Sequence, residues 1–262
     1  MAGEAAAGGG LHTLGGGVLS LAETAGGMGL LFGRIARRAA ALEFDGREFV
    51  KNLYKMGVKS VPIVIVTALF VGGIMVIQAA PVVERYGAHG LLGWGAGFGT
   101  LREIGPLLTA LMLSGRVGAN NTAELGTMVV TEQIDALRAL AIDPIGYLIV
   151  PRFLAFVLTL FLAALYADAL ALVGAAYAGK GLLDVEPAVF LNGVTGLLTI
   201  SDVAHGLVKC IIFGVIMALA SCHFGLAVKG GAPGVGRAVN ATVVASALGI
   251  LVLDYFVSFV LA

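Results

Sequence analysis

Residues 149–177 read IVPRFLAFVLTLFLAALYADALALVGAAY, and this stretch decides the fold class. It carries two charged side chains, Arg152 and Asp168. A membrane-spanning helix needs about 20 mostly apolar residues, so the stretch is long enough to cross a bilayer. The whole chain follows the same pattern, because 59% of its residues are hydrophobic and 12% are charged, against roughly 25% charged in soluble domains. We therefore predict an all-α membrane protein.

Working outward from this stretch, we expect about five transmembrane helices. They cover approximately residues 61–80, 97–117, 149–177, 204–226 and 238–262. Pro81 is expected to end the first helix, because proline interrupts helical hydrogen bonding. Arg102 and Glu103 interrupt the second stretch. Residues 179–203 form a mildly acidic connection between the third and fourth helices.

The segment before the first span divides into two parts. Residues 1–17 are rich in glycine and alanine, so we expect a flexible N-terminus. Residues 18–59 mix apolar side chains with arginines and lysines, which predicts amphipathic helices lying in the membrane interface. Lys51, Lys55 and Lys59 recur every four residues on one helical face, where lysines can meet anionic headgroups. The transmembrane domain then covers residues 60–262.

The distribution of lysine and arginine predicts the orientation, because cytoplasmic loops carry the excess of these residues. If residues 1–60, 118–152 and 227–237 share one side, that side carries nearly all of the basic residues outside the spans, and only Arg85 and Lys180 lie opposite. We therefore expect a multi-pass protein with a cytoplasmic N-terminus.

Several function classes are disfavoured. The net charge is zero, which argues against a nucleic-acid partner. Gly231 and Gly236 have the spacing of a phosphate-binding loop, but Arg237 and Ala238 follow where that motif needs Lys and Ser or Thr. We thus expect no nucleotide site, no cofactor and no metal site in this chain. Energy for active transport would come from another subunit.

The most polar connection lies at residues 119–143. Asn121 and Glu124 have the spacing of a helix-capping box, and Pro144 follows Asp143 as a stop signal. Leu125 and Met128 would share a helical face with acidic side chains nearby. This face is a candidate contact for a cytoplasmic protein, and a solvated loop is the alternative.

Two stretches of the sequence resemble those of a known family. Residues 101–152, LREIGPLLTALMLSGRVGANNTAELGTMVVTEQIDALRALAIDPIGYLIVPR, closely resemble the MlaE/YrbE permeases. The C-terminal GGAPGVGRAVNATVVASALGILVLDY is similar to the ending of the same family. The resemblance extends from about residue 20 to the end of the chain.

This resemblance implies the permease subunit of an ABC transporter that moves phospholipids between the inner and outer membranes of bacteria. It implies a homodimer in the inner membrane, a separate cytoplasmic ATPase that binds ATP and Mg, and a periplasmic MCE-domain protein. The ATPase would dock on residues 119–143, which we call the coupling segment. Its candidate coupling residues are Glu124, Leu125, Met128, Glu132 and Asp135.

Charged residues within the spans are costly, at about 2.5–3.5 kcal/mol each, and usually face a cavity or a partner. Lys209 and Asp254 lie at similar depth, so simple pairing is one interpretation. The family resemblance favours Arg102, Glu103 and Lys209 as lipid-path residues in a single polar cluster, whose cations would receive a phosphate. The apolar wall of the cavity would be formed by Val71, Ile74, Met75 and Gln78, on a helix in which Gly72 and Gly73 permit close packing.

Two other classes of protein remain open at this point. A self-sufficient channel or secondary transporter would use the intramembrane charges as an ion or proton relay, and it would transport without a partner. A structural membrane scaffold would tolerate neutral substitutions at residues 102, 103 and 209.

Overall fold

The computed structural model describes residues 4–41 and 44–261, and helices make up most of this part of the chain. No strand occurs among these residues, so the all-α prediction is confirmed. In chain order the α-helices are α1 Glu4–Ala40, α2 Gly46–Met56, α3 Val61–Tyr86, α4 Leu92–Gly99, α5 Gly105–Leu113, α6 Ala119–Val130, α7 Gln133–Ala139, α8 Val150–Leu183, α9 Pro187–Leu197, α10 Ile200–Leu226 and α11 Gly231–Leu261.

Within the described residues, four helical segments are long and apolar enough to cross a membrane. They are Gly46–Tyr86, Ile145–Leu183, Ile200–Leu226 and Gly231–Val260. The first extends farther than the sequence predicts, because α3 continues through Pro81 and ends at Tyr86. Gly87 closes α3 in the left-handed conformation, with φ of 63°, which glycine adopts without strain. The expectation that Pro81 ends the helix is therefore wrong.

The second apolar stretch belongs to an unbroken helical run, Leu92–Val130, which contains α4, α5 and α6. π-Helical segments at Thr100–Ile104 and Ser114–Gly118 join them. The run lies parallel to α10, because Arg102 contacts Asp202 and Asn121 contacts Ser221. At 1.5 Å per residue these two contacts are about 28 Å apart, close to the roughly 30 Å of a hydrocarbon core. The four helices correspond to four of the five predicted spans, and the crossing of the membrane by the run remains a prediction.

Helix α8 lies at the centre of the bundle and packs against α2, α3 and α10. Its closest neighbour is α3, where a Cβ added to Gly72 would lie 1.7 Å from the carbonyl oxygen of Ala171. A Cβ at Gly174 would similarly lie 2.1 Å from the carbonyl oxygen of Leu69. Small residues allow such close approach of helix backbones in membranes. The prediction of close packing is confirmed at Gly72.

The N-terminal helix α1 begins at Glu4, so its backbone extends into the segment for which the glycine content predicts flexibility. Leu31 and Ile35 are buried against the bundle, whereas Leu30 is exposed. The guanidinium of Arg38 lies 3.0 Å from the Asp143 carboxylate, which ties α1 to the end of the coupling segment. The interfacial position of α1 and α2 remains a prediction.

The connection between the third and fourth spans contains a further helix, α9, which sequence reasoning did not assign. Pro187 starts it at the first helical position, where proline is well tolerated. It packs on α4 so closely that a Cβ at Gly93 would lie 2.0 Å from the carbonyl oxygen of Phe190. With 11 residues, α9 is too short to cross a membrane.

Candidate functional site

A buried lysine organises the first charged cluster, where α10, α11 and the π-helical segment Thr100–Ile104 meet. Lys209 Nζ donates hydrogen bonds to the Glu103 carboxylate and, at 2.7 Å, to Ser258 Oγ. Asp254 Oδ1 lies 3.0 Å from the same nitrogen as an ion-pair contact without hydrogen-bond alignment. The Lys209 side chain is 1% exposed, against 37% for Glu103. We call Glu103, Lys209, Asp254 and Ser258 the Lys209 cluster.

Arg102 belongs to a neighbouring pair. Its guanidinium lies 3.4 Å from Asp202 Oδ1 and 5.3 Å from the centre of the Phe98 ring. Asp202 also accepts hydrogen bonds from the backbone N–H and hydroxyl of Thr199, at 2.9 and 2.6 Å. This arrangement is a capping box at the start of α10. The carboxylate that faces Arg102 is therefore held in place by the helix N-terminus.

The two pairs use adjacent residues of the helical run and two levels of α10. Asp202 and Lys209 are seven residues apart, so they lie on the same face of α10, about 10 Å apart along its axis. The predicted contact between Glu103 and Lys209 is confirmed. The prediction that Arg102 joins them in a single three-residue cluster is corrected, because the guanidinium pairs with Asp202.

Sequence reasoning missed Asp202 and Ser258 as site residues. The signal for Asp202 was its seven-residue spacing from Lys209 on one apolar helix. Asp202 was instead assigned to the acidic connection, because the predicted span started at residue 204. For Ser258 the signal was its four-residue spacing from Asp254, which places both on one face of α11.

The predicted cavity wall on α3 is divided by the structure. Ile74 and Gln78 are exposed, whereas Val71 and Met75 are partly buried. Val71 lines a small cavity between α3, α5 and α8. The Met75 methyl group packs on the helical run, because a Cβ added to Gly99 would lie 2.7 Å from it. Ile74 and Gln78 are thus the two predicted wall residues most available to a ligand.

A second charged network lies at the other end of the helical run. Arg152 donates to Asn121 Oδ1 at 3.1 Å and to Glu124 Oε1 at 3.2 Å. Lys55 donates to the other oxygen of Glu124. Asn121 Nδ2 then donates to Ser221 Oγ at 2.9 Å. This arrangement, which we call the Arg152 network, joins α2, α6, α8 and α10.

The Arg152 network changes two expectations. Asn121 does not cap a helix, because α6 continues directly from the π-helical segment and the Asn121 side chain is buried. Lys55 binds a carboxylate of the protein rather than being available only for lipid headgroups. Burial raises the pKa of Glu124, but the hydrogen bonds and charges of Lys55 and Arg152 outweigh burial and leave that pKa below its ordinary value.

The candidate coupling residues occupy different environments. Leu125 is 0% exposed and packs on Gly225, so it cannot contact a partner in this conformation. Met128 packs against the core, which corrects the predicted apolar face. Glu132 and Asp135 are exposed at the turn and in α7. Leu140 and Ile142 provide exposed apolar surface nearby.

Asp168 is the remaining acidic residue within a predicted span. It lies on α8, is 4% exposed, and neither carboxyl oxygen has a hydrogen-bond partner among the described residues. Its Oδ1 packs directly on Gly105, because a Cβ there would lie 2.3 Å away. The same Cβ would lie 2.7 Å from the backbone carbonyl oxygen of Thr100, so a larger residue at this junction between the π-helical segment and α5 would require the backbone to shift.

These two charged sites lie in the part of the chain that a known family covers. Residues 49–260 match the family model described as Permease MlaE. The chain belongs to the MlaE permease family. Its membership confirms the resemblance carried by residues 101–152 and by the C-terminal stretch.

Relatives of this MlaE-family chain are named as ABC transporter permeases. A Synechocystis protein named Probable ABC transporter permease protein is 38% identical over 232 residues, covering 88% of this chain and 85% of the relative. A Rickettsia felis protein of the same description is 37% identical, covering 80% and 81%. The chain is therefore a multi-pass permease of an ABC transporter, and such a permease works with a partner ATPase.

A plant relative is also similar. The Arabidopsis thaliana protein TRIGALACTOSYLDIACYLGLYCEROL 1, chloroplastic, is 31% identical over 229 residues. The match covers 87% of this chain and 65% of the Arabidopsis protein.

Proposed function

We propose that this permease moves phospholipids between the inner and outer membranes of a bacterium, driven by a separate cytoplasmic ATPase. The observation that carries the proposal is the Lys209 cluster, an ion network within helices that are otherwise apolar. Ionisable groups at membrane depth usually mark a substrate or ion route. A phospholipid has a charged headgroup and apolar chains, so it needs both a polar site and an apolar wall. Arg102, Glu103 and Lys209 would provide the first, and α3 the second.

The relatives support a lipid substrate. The Arabidopsis relative is named after a galactolipid. A lipid substrate would also suit this chain, because its polar site could bind the headgroup and its apolar wall could contact the acyl chains. The exposed Ile74 and Gln78 lie on α3, and the partly buried Val71 and Met75 continue the same helix. Together they would contact the acyl chains.

We also propose that two copies form a homodimer with the lipid cavity between them. A single chain leaves much of α11 exposed and apolar, including Leu248, Tyr255 and Phe259. Asp254 and Ser258 of the Lys209 cluster lie on this same helix. A second copy packed there would enclose the cluster. A periplasmic MCE-domain protein would then receive or deliver lipid at the same end.

The coupling segment would bind the ATPase. Glu132 and Asp135 are exposed there, and the Arg152 network connects α6 to α2, α8 and α10. Movement of the segment would therefore be transmitted to α10, which carries Asp202 and Lys209 at its other end. In this arrangement the N-terminus lies on the cytoplasmic side of the inner membrane.

The test is reconstitution of the permease, with and without its ATPase, into vesicles that contain fluorescent phospholipid. We expect ATP-dependent lipid movement that requires both proteins and falls in Arg102→Ala and Glu103→Ala. Lipid or ion movement by the permease alone, without ATP, would instead support a channel or secondary transporter. Full transport in both variants would contradict the role of these residues.

A further inference from the structure

The Lys209 cluster and its neighbours contain more carboxylates than cations. Arg102 and Lys209 provide two positive charges, whereas Glu103, Asp202 and Asp254 provide three negative charges. His205 is the other titratable side chain on this face of α10, and its Nδ1 has no hydrogen-bond partner among the described residues. With a neutral imidazole, these described residues therefore have a formal excess of one negative charge.

The contacts of Lys209 show where that charge is available. An ammonium group has three N–H donors, and three oxygens lie within 3.0 Å of Lys209 Nζ, from Glu103, Asp254 and Ser258. Two of these oxygens accept hydrogen bonds and the third is an ion-pair contact, and with 1% of its side chain exposed Lys209 has no open surface for a phosphate. In this conformation the lysine holds the carboxylates in place.

Glu103 is the most exposed carboxylate of the site. Its side chain is 37% exposed, whereas that of Asp254 is 19% and that of Asp202 is 10%. A ligand that reaches the cluster therefore meets Glu103 first. A carboxylate only accepts hydrogen bonds, so the complementary ligand group is a cation with N–H donors.

Arg102 is adjacent to Glu103 in sequence, and their partners Asp202 and Lys209 lie about 10 Å apart along α10. The Arg102 side chain is 22% exposed and is oriented by Asp202 and the Phe98 ring. A guanidinium suits phosphate oxygens. One short stretch of the π-helical segment thus presents a cation suited to phosphate and a carboxylate suited to ammonium at two neighbouring levels of α10.

We infer that the headgroup site selects zwitterionic phospholipids with a primary ammonium group over anionic phospholipids. Glu103 accepts hydrogen bonds from the ammonium, and Arg102 contacts the adjacent phosphate. An anionic headgroup such as glycerol phosphate offers no positive charge to Glu103 and adds a negative charge to a site that already has one in excess. The inference rests on the proposed lipid transport and specifies its substrate class.

The test measures which lipid the purified permease–ATPase complex retains. Complex is incorporated into vesicles with equal amounts of phosphatidylethanolamine and phosphatidylglycerol of identical acyl chains, and is re-extracted. Incorporation and re-extraction are carried out at about pH 8, where an ordinary imidazole is neutral. The retained lipid is then quantified by mass spectrometry. We expect phosphatidylethanolamine to be enriched at least about threefold, the scale of a partly exposed ion pair.

Two variants that remove the same charge locate the selectivity. Glu103→Gln should bring the ratio of the two lipids close to one, because the exposed acceptor for ammonium loses its charge. Glu84→Gln, at an exposed carboxylate of α3 outside the Lys209 cluster, should keep the enrichment. Thermal unfolding of each variant checks that it is folded before lipid is measured.

The outcomes separate this inference from the proposed function. Equal retention of both lipids, or enrichment of phosphatidylglycerol, would overturn the inference and leave lipid transport standing. An unchanged ratio in Glu103→Gln would also overturn it. Failure to retain or move any phospholipid would contradict the proposed function itself.

Discussion

Asn121 Nδ2 donates a 2.9 Å hydrogen bond to Ser221 Oγ, one hundred residues farther along the chain. Arg102 and Asp202 are separated by the same one hundred residues at the opposite end of the helical run. The run and α10 are therefore held parallel at two polar contacts about 28 Å apart. A rigid displacement at one end of this pair would therefore be felt at the other end.

Removal of the Asn121 amide should destabilise the protein. In Asn121→Ala, Arg152 loses an acceptor at 3.1 Å while it remains buried, and Ser221 loses its donor. An unsatisfied buried polar group costs about 1–3 kcal/mol, so the free energy of unfolding should fall by about that amount. Denaturation in detergent measures it. Asn120→Ala, at an exposed neighbouring position, is the control and should change it by less than about 0.5 kcal/mol.

Arg102→Ala should impair lipid transport by about tenfold or more, because a hydrogen bond to a charged group contributes about 1.5–3 kcal/mol. Asp202→Ala, and not Glu103→Ala, is the variant that removes the partner of the Arg102 guanidinium, because Asp202 pairs with it. Asp202 retains its two bonds from Thr199 in Arg102→Ala, so the variant should still fold. The reconstituted transport assay measures the effect, and Arg85→Ala at an exposed position is the control. Wild-type rates in Arg102→Ala would end this assignment.

Two adjacent glycines of α3 should respond oppositely to alanine. In Gly72→Ala the new methyl group would lie 1.7 Å from the Ala171 carbonyl oxygen, whereas in Gly73→Ala its nearest contact is 3.8 Å away. The first substitution should cost about 1–3 kcal/mol or more through forced separation of α3 and α8. The second should be neutral or stabilise by up to about 1 kcal/mol, since glycine is unfavourable within a helix. Equal midpoints of thermal unfolding for the two variants would contradict the close packing.

The apolar pattern was sufficient to predict the helical class and four of the spans, and the paired glycines predicted the close approach at Gly72. Hydropathy alone could not predict that α3 continues past Pro81, because surrounding packing decides whether a helix tolerates proline. The partners of Arg102 and Lys55 were also out of reach. Asp202 lies one hundred residues from Arg102 and becomes its partner only when the run and α10 are aligned. Glu124 lies 69 residues from Lys55 and becomes its partner only when α2 lies beside α6.

The Glu124 carboxylate should give the protein an acid-sensitive stability. Its pKa is lowered in the folded protein from the ordinary value of 4.5, so its contribution is fully present above that value and is lost as the pH falls towards the folded pKa. The midpoint of thermal unfolding, measured between about pH 7 and pH 3, should fall less steeply in Glu124→Gln than in the wild type. Asp45→Asn, at the start of α2, is the comparison, and parallel curves for Glu124→Gln and the wild type would contradict the prediction.

The last prediction concerns the ATPase. Glu132 and Asp135 are the exposed acidic residues of the turn and α7, and Glu132 has left-handed backbone geometry, with φ of 58°. Changing both to lysine reverses the local charge and should release the ATPase during affinity purification, because like charges placed across an interface cost several kcal/mol.

A matched control changes Glu84 and Asp184 to lysine at the opposite end of the bundle. Both residues are exposed, and Asp184 is also left-handed, with φ of 51°, so the control repeats the charge change and the backbone environment. If the ATPase co-purifies undiminished with the Glu132 and Asp135 variant, the prediction that the ATPase binds the coupling segment is wrong. Loss in both variants would attribute the effect to net charge.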